Sequence, residues 1–352
     1  MLAKLFNRAP KVAPKVNIQP AGIDLDVEGK NTILQTALEQ GVAFPHNCRV
    51  GGCGACKCKL VGGRVKEMTD KSYLLSAEEM RNGYILACQS VPLTNVVIDA
   101  PNVVAEGEAV PVKKVSGKIA GLKNLNHDII ELTIALDDTV EYKAGQYADV
   151  SVPGVIEEAR SYSFAMANRG RPMKLARFHV RLVPGGEFTQ WLHNEAAAGQ
   201  SIELEAPFGD FYMRSSDAPI LCVAGGSGMA PIKALLEQAS HDELNRDVTY
   251  FFGARTQADL YALTEMEKIA TKWRARFEFI PVLSDEPEES DWQGLRGFVT
   301  EHISALGDRL EDHHVYMCGP PPMLDAAIDV CKQGRIAAKH IHFDKFLDKS
   351  SK

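Results

Sequence analysis

The sequence predicts a multidomain chain of mixed α+β and α/β class. A small mixed domain comes first, an antiparallel β-barrel second, and a doubly wound parallel sheet last. Three observations lead there. Four of the eight cysteines fall within eleven residues, in "HNCRVGGCGACKC" (46–58), interleaved with glycines. The middle of the chain carries short alternating segments separated by turn residues, the mark of antiparallel strands. The last third alternates apolar runs with helical stretches, as a parallel sheet covered by helices requires.

The length of 352 residues suits two or three domains. Hydrophobic residues at 45% and charged residues at 24% are ordinary for a globular protein. A net charge of −7 argues against a nucleic-acid binder. The opening "MLAKLFNRAPKVAPKV" is basic but lacks the apolar run of a signal peptide, and no stretch approaches eighteen consecutive apolar residues. The expected location is the cytoplasm, where thiols stay reduced and clustered cysteines favour metal or redox chemistry over disulfides.

In the first domain (14–103), Ile23, Leu25 and Val27 alternate with polar residues as on a half-buried strand. Asn31 or Thr32 suits the cap of a helix over "TILQTALEQG", which Gly41 stops. "KLVGGRV" reads as a hairpin turning at Gly62 and Gly63, and "NVVIDAP" as a closing strand. Residues 104–112, with little periodicity, form a linker. The second domain (113–214) has strand patterns near Lys118 and over 129–134, 147–152, 178–182 and 202–204. The third (215–346) has strands at "PILCVAGG", "VTYFFGA", "FEFIPVL" and "HHVYMCGP".

The cysteines Cys48, Cys53, Cys56 and Cys88 have the spacing C-x4-C-x2-C and then, after 31 residues, C. That is the plant-type [2Fe–2S] ligand pattern. Gly51, Gly52 and Gly54 allow left-handed backbone angles and bring N–H groups close to the sulfides. Zinc would prefer paired CxxC knuckles, and a thioredoxin-like CxxC would follow a strand of a βαβ unit. Cys58 falls outside the ligand pattern and reads as a packed thiol or a neighbour of the cluster. Cys222 and Cys331 read as core residues.

Two further stretches carry chemistry. In "ARSYSFA", Arg160, Tyr162 and Phe164 share one strand face, suiting a phosphate contact and a ring stack, with Ser163 beside them. Gly185 and Gly186 lead into the helix start "EFTQWLHNEA", whose open N–H groups favour a pyrophosphate. Taken alone, Tyr162 and Phe164 read more readily as barrel core and Arg160 as a surface charge; the other two domains turn the reading to a flavin site. "LCVAGGSGMAPIKALLEQA" runs from a strand through Gly225, Gly226 and Gly228 into a helix, a second diphosphate site, although GGSG-x-x-P is not the GxGxxG fingerprint. Arg255 and the turn Cys318-Gly319-Pro320 end neighbouring strands at the carboxyl edge, where open α/β sheets bind ligands.

With these motifs together, the chain resembles the NADH-dependent reductase components of multicomponent bacterial oxygenases over about residues 16–346. The resemblance rests on "FPHNCRVGGCGACKCKL", "AGQYADV", "RSYSFA", "FHVRLVPGG", "FFGAR" with "DLY", and "CGPPPM". Within the family it is similar to the xylene and p-cymene monooxygenase components and, in "WQGLRGFV" and "CGPPPMLDAAI", to phenol hydroxylase reductases. It implies a β-grasp ferredoxin domain, an FAD-binding barrel and an NAD-binding domain. Cys48, Cys53, Cys56 and Cys88 would hold the cluster. Arg160, Tyr162 and Ser163 would meet the flavin at its phosphate, its ring and near N5. Gly185, Gly186 and Thr189 match a second flavin motif in which Ser is usual at the last position. Gly225, Gly226, Ser227 and Gly228 match a GGTG turn. Cys318, with Gly319 and Pro320, would lie beside the nicotinamide. One of Phe343 and Phe346 would shield the flavin.

The implied route is NADH to FAD, then one electron at a time through the [2Fe–2S] cluster to a terminal oxygenase or hydroxylase, itself soluble or membrane-bound, of an aromatic or alkyl hydrocarbon monooxygenase. It asks the protein to bring nicotinamide C4 and flavin N5 within roughly 3–3.5 Å. The resemblance favours NADH; Arg255, followed by "TQAD", suits either nucleotide. The alternatives are a subunit of a respiratory NADH dehydrogenase and a stand-alone ferredoxin–NAD(P)+ reductase serving another acceptor.

Overall fold

The computed structural model describes residues 13–46, 49–52, 54–72, 74–101, 103, 110 and 112–346. Two compact units divide the chain, Met1–Pro111 and Val112–Lys352.

In the first unit, β1 (Lys15–Gln19) and β2 (Ile23–Asp26) form an antiparallel pair, followed by α1 (Ile33–Glu39). The Thr32 side chain accepts from Gln35 N and caps the helix, and Gly41 at φ +76° turns the chain away. Ile33, Leu34 and Ala37 bury one helix face. Then come β3 (Lys57–Gly62), β4 (Val65–Glu67), α2 (Ala77–Arg81), β5 (Tyr84–Leu86), β6 (Ser90–Pro92) and β7 (Val96–Asp99). The main sheet has the order β2-β1-β7-β3-β5, with β1 and β7 parallel at its centre. Val16, Ile18, Val96 and Ile98 of those two strands are almost fully buried against α1, each stabilising the unit by about 1.5–3 kcal/mol.

The expected hairpin at Gly62 and Gly63 does not form. β3 pairs with β7 and β5, whereas β4 pairs with β6 in a separate two-stranded sheet. The glycine turn is real, with Gly63 at φ +86°. Its reason is packing, because a side chain at Gly63 would strike the Asn95 carbonyl and Val96.

The second unit opens with an antiparallel sheet of β8 (Lys113–Asn124), β9 (Ile129–Val140), β10 (Tyr147–Val152), β11 (Ile156–Ser163), β12 (Met173–Arg181) and β13 (Ser201–Phe208), ordered β11-β10-β13-β8-β9-β12. A bridge between Phe164 and Phe178 joins its two ends, so the sheet closes into a barrel. Alternate residues such as Leu132, Ile134, Phe178 and Val180 fill the interior, and α3 (Glu187–Asn194) covers one end with Phe188 and Leu192.

The chain then winds a parallel sheet of β14 (Ile220–Gly225), β15 (Val248–Ala254), β16 (Phe277–Leu283), β17 (Leu295–Arg296), β18 (His314–Gly319) and β19 (Ile341–Lys345), ordered β17-β16-β15-β14-β18-β19. The helices α4 (Met229–His241) and α5 (Leu263–Lys272) pack on one face; α6 (Val299–Ser304) and α7 (Pro321–Gln333) pack on the other. Sheet order reverses between β14 and β18, which places the site-forming crevice beyond their carboxyl ends. Cys222 and Cys331 are fully buried on opposite faces of this sheet, as core residues.

Candidate functional site

The cysteine loop is built by local chain reversal. Gly51 and Gly54 sit at φ +84° and +73°, conformations that cost a side-chain-bearing residue but not glycine. Gly51 also packs so tightly on Gln89 that a Cβ would lie 2.9 Å from its Cγ. Cys56 closes the loop, and Cys88 lies in a 3-10 turn (Ala87–Gln89). The Ala87 amide donates to the Cys56 carbonyl at 3.0 Å, which brings the two segments side by side. Both cysteines are buried, at 3% and 4% exposure. Cys48 and Cys53 lie outside the described residues. Paired buried sulfur donors on a loop of left-handed glycines fit an iron–sulfur cluster. Cys58 points from β3 into the core; burial first, then Cys88 and Asp99, push its thiol up to about 12.

The flavin-type residues lie on β11 and at the start of α3. The Arg160 guanidinium binds the Glu158 carboxylate at 2.8 Å and the carbonyls of Glu158 and Ala159. Tyr162 is half-buried, its ring 5.2 Å from that of Phe188, and burial raises its phenol well above the usual range. Ser163 is buried, and Phe164 stacks on Tyr142 in the barrel core at 3.7 Å. Gly185 takes φ +72°, and Gly186 begins α3 with no side chain capping the first turn. Thr189 turns inward. Its hydroxyl accepts from Val183 N at 3.1 Å and faces the Gly186 carbonyl at the same distance, so it braces the glycine turn. A left-handed turn with open first-turn amides fits a flavin diphosphate.

The nucleotide-type residues converge on a cleft of about 500 Å³ in the second unit. Gly225, Gly226, Arg255 and Pro320 line it. Ser227 and Gly228 continue the turn into α4. Gly228 packs against the Cys318 carbonyl, with no room for a Cβ, and a Cβ on Gly225 would lie 2.9 Å from Met323 Sδ. Cys318 sits behind the wall, fully buried, its thiol donating to the Asp344 carbonyl at 3.3 Å. Burial, with Asp344 second, holds that thiol well above its ordinary pKa, so it stays protonated. Gly319 accepts from Phe346 N at 3.0 Å. Phe346 packs on the sheet face that carries Cys318, whereas Phe343 packs on the opposite face.

Further cleft residues escaped the sequence reading. Asn126, Asp128 and Arg181 face the glycine turn from the barrel side, with Arg181 Nε bound to Asp128 at 2.8 Å. Phe298 stands at the rim with 65% of its surface exposed. "FHVRL" held one usable signal, because Arg181 follows the strand face of the predicted flavin motif; Asn126 and Asp128 had none. A buried bridge also ties α4 to the end of β11. Lys233 Nζ donates to the Ala165 carbonyl at 3.0 Å and pairs with Glu237 at 2.5 Å.

Comparison with known proteins agrees with this architecture. Residues 16–93 match the 2Fe-2S iron-sulfur cluster binding domain, 116–212 the oxidoreductase FAD-binding domain, and 222–329 the oxidoreductase NAD-binding domain. The electron transfer component of xylene/toluene monooxygenase from Pseudomonas putida is 41% identical over 340 residues, covering 97% of this chain and 95% of that protein. The reductase component of phenol 2-monooxygenase from Pseudomonas sp. (strain CF600) is 36% identical, covering 94% of each. Among solved structures, the Amycolatopsis cytochrome P450 reductase superposes with a TM-score of 0.80 at 31% identity, covering 95% of this chain and 98% of that one. The chain therefore belongs to the reductase components of multicomponent oxygenases. It is an NADH-dependent flavin and iron–sulfur oxidoreductase that moves electrons from NADH, by way of FAD and a [2Fe–2S] cluster, to an oxygenase component.

Proposed function

We propose that the oxygenase served by this chain is the hydroxylase of an aromatic or alkyl hydrocarbon monooxygenase. The observation that carries this reading is the 41% identity, along 97% of the chain, to a xylene/toluene monooxygenase component. The acceptor is soluble or membrane-bound. Among the described residues no helix is long and apolar enough to cross a membrane.

In this reading Cys48, Cys53, Cys56 and Cys88 hold the cluster. Arg160 exchanges its Glu158 contact for a flavin phosphate, and the α3 amides behind Gly185 and Gly186 share that charge. Thr189 keeps the turn in shape. Tyr162 and Ser163 bracket the flavin ring. The glycine turn 225–228 and the α4 N-terminus take the nucleotide diphosphate. Cys318, as a protonated thiol, backs the cleft wall on the nicotinamide side, and Phe346 rather than Phe343 covers the flavin, since it shares the face of Cys318. Arg255 is already paired with Asp259 at 3.0 Å, with Asp285 and Glu286 following on the neighbouring loop. That acidic surround supports NADH, whose ribose lacks the 2′-phosphate. When bound, FAD accepts the two electrons of NADH together and the cluster takes them singly.

The test is anaerobic reduction of the purified chain by NADH, followed by visible and EPR spectra. Flavin bleaching together with the rhombic signal of one reduced [2Fe–2S] centre is expected. Cys88→Ser should remove the signal and leave flavin bleaching. The hydrocarbon reading is checked by coupling to xylene-type and phenol-type hydroxylases; turnover with neither would overturn it. Faster initial rates with NADPH than with NADH would overturn the nucleotide assignment.

A further inference from the structure

Tyr261 lies between the barrel and the nucleotide turn and takes no part in the binding scheme above. It is 4% exposed, an unusual place for a phenol without a partner. Its hydroxyl donates to the Gly226 carbonyl at 2.9 Å. Its ring meets His179 of β12 edge-on at 5.4 Å and Phe252 of β15 edge-on at 5.8 Å. His179 Nδ1 lies 3.4 Å from the Tyr261 hydroxyl, and His179 Nε2 lies 3.6 Å from the Glu131 carboxylate on β9. Burial keeps His179 below its ordinary pKa. The tyrosine's single proton goes to the Gly226 carbonyl, so His179, with Glu131 behind it, holds the phenol in place by its position and edge-on ring contact and not as a second acceptor.

Gly226 is in the left-handed region, at φ +55°, and lines the cleft. Its carbonyl accepts from the Met229 amide that closes the 3-10 turn, and the Tyr261 hydroxyl adds a second, side-chain anchor to the same oxygen. In a planar trans peptide the carbonyl and the next N–H point in opposite directions. Holding the Gly226 carbonyl on the Tyr261 side therefore aims the Ser227 N–H away from it.

We propose that Tyr261 is a positioning residue for the nicotinamide nucleotide: its hydroxyl, backed by His179 and Glu131 of the barrel, locks the Gly226–Ser227 peptide at the wall of the cleft. The inference rests on reading that cleft as the nucleotide site. It accounts for a barrel strand supplying a buried histidine to a loop of the nucleotide domain. It also sets the turn in register with the strand that carries the flavin motif, because β12 meets β11 through the Phe164–Phe178 bridge.

The test uses the full-length holoenzyme and steady-state NADH oxidation. Tyr261→Phe deletes one oxygen and keeps the ring. Its KM for NADH should rise by about three- to tenfold, the factor one neutral hydrogen bond supplies. Its kcat should stay within about twofold, with flavin content and cluster EPR signal unchanged. His179→Gln should raise KM by a smaller factor. The double variant should be no worse than Tyr261→Phe, because both changes break one chain of contacts. An unchanged KM in Tyr261→Phe, a loss of kcat at constant KM, or multiplied effects in the double variant would each overturn the proposal. If Tyr261→Phe does not fold, His179→Gln decides alone: a raised KM at constant kcat supports it and an unchanged KM refutes it. Ala326→Trp, at the cleft wall, tests the cleft itself. An unchanged KM there, in an enzyme that oxidises NADH, would remove the cleft reading instead.

Discussion

His342 shows how much a single side chain depends on neighbours remote in sequence. It stacks on Tyr316 with ring centroids 4.9 Å apart, and His314 lies 6.1 Å away. Burial first, then Arg214, His314 and His340, bring its pKa down to about 4. His314 is lowered too, by burial and then by His340, Arg246 and Lys339. The unfolded chain therefore takes up protons below about pH 6.5 that the folded chain refuses until about pH 4. Stability from these groups is fully present above pH 6.5 and falls as pH drops through that window. Thermal midpoints should decline from pH 7.5 to 4.5, and His342→Phe, which keeps the stack, should flatten part of the decline; parallel curves would clear His342 of the effect. None of this was legible in the sequence, because His314 and His342 meet only through the parallel pairing of β18 with β19, a strand that carried no clear pattern. The spacing of Cys48, Cys53, Cys56 and Cys88, by contrast, can be read without any tertiary contact, since three of the four lie within nine residues.

At the scale of elements, the strands of the parallel sheet announced themselves as continuous apolar runs, because both faces are covered by helices. The hairpin at Gly62 and Gly63 misled for a related reason: a glycine turn shows that the chain bends, but partner strands decide what pairs. Two other glycines separate these meanings. Gly228 begins α4 against the Cys318 carbonyl, whereas nothing lies within 4 Å of a Cβ placed on Gly121 in β8. Gly228→Ala should lower stability by about 1–3 kcal/mol through overpacking against backbone and weaken NADH binding with it. Gly121→Ala should stay within about 0.5 kcal/mol of the parent. Chemical denaturation of both variants checks the contrast, and equal midpoints would refute it.

For the molecule as a whole, the barrel and the parallel sheet form one compact unit and the iron–sulfur segment another. Composition suggested where elements change but not what binds them together. The ties are side chains reaching across long stretches of chain: Asn126 to the Asp259 carbonyl at 2.9 Å, Lys233 to Ala165, and the Arg214 amide to the Tyr316 hydroxyl at 2.9 Å. A fragment of residues 112–352 should therefore fold, retain flavin and reduce ferricyanide from NADH, while showing no cluster signal; a fragment that holds no flavin would refute this. The sealed thiol of Cys318 has a consequence for endurance. Low-potential electrons that stray to dissolved oxygen yield peroxide, and peroxide consumes accessible thiolates first. A sulfur kept protonated and out of reach behind the cleft wall lets such an enzyme idle in air with that thiol intact.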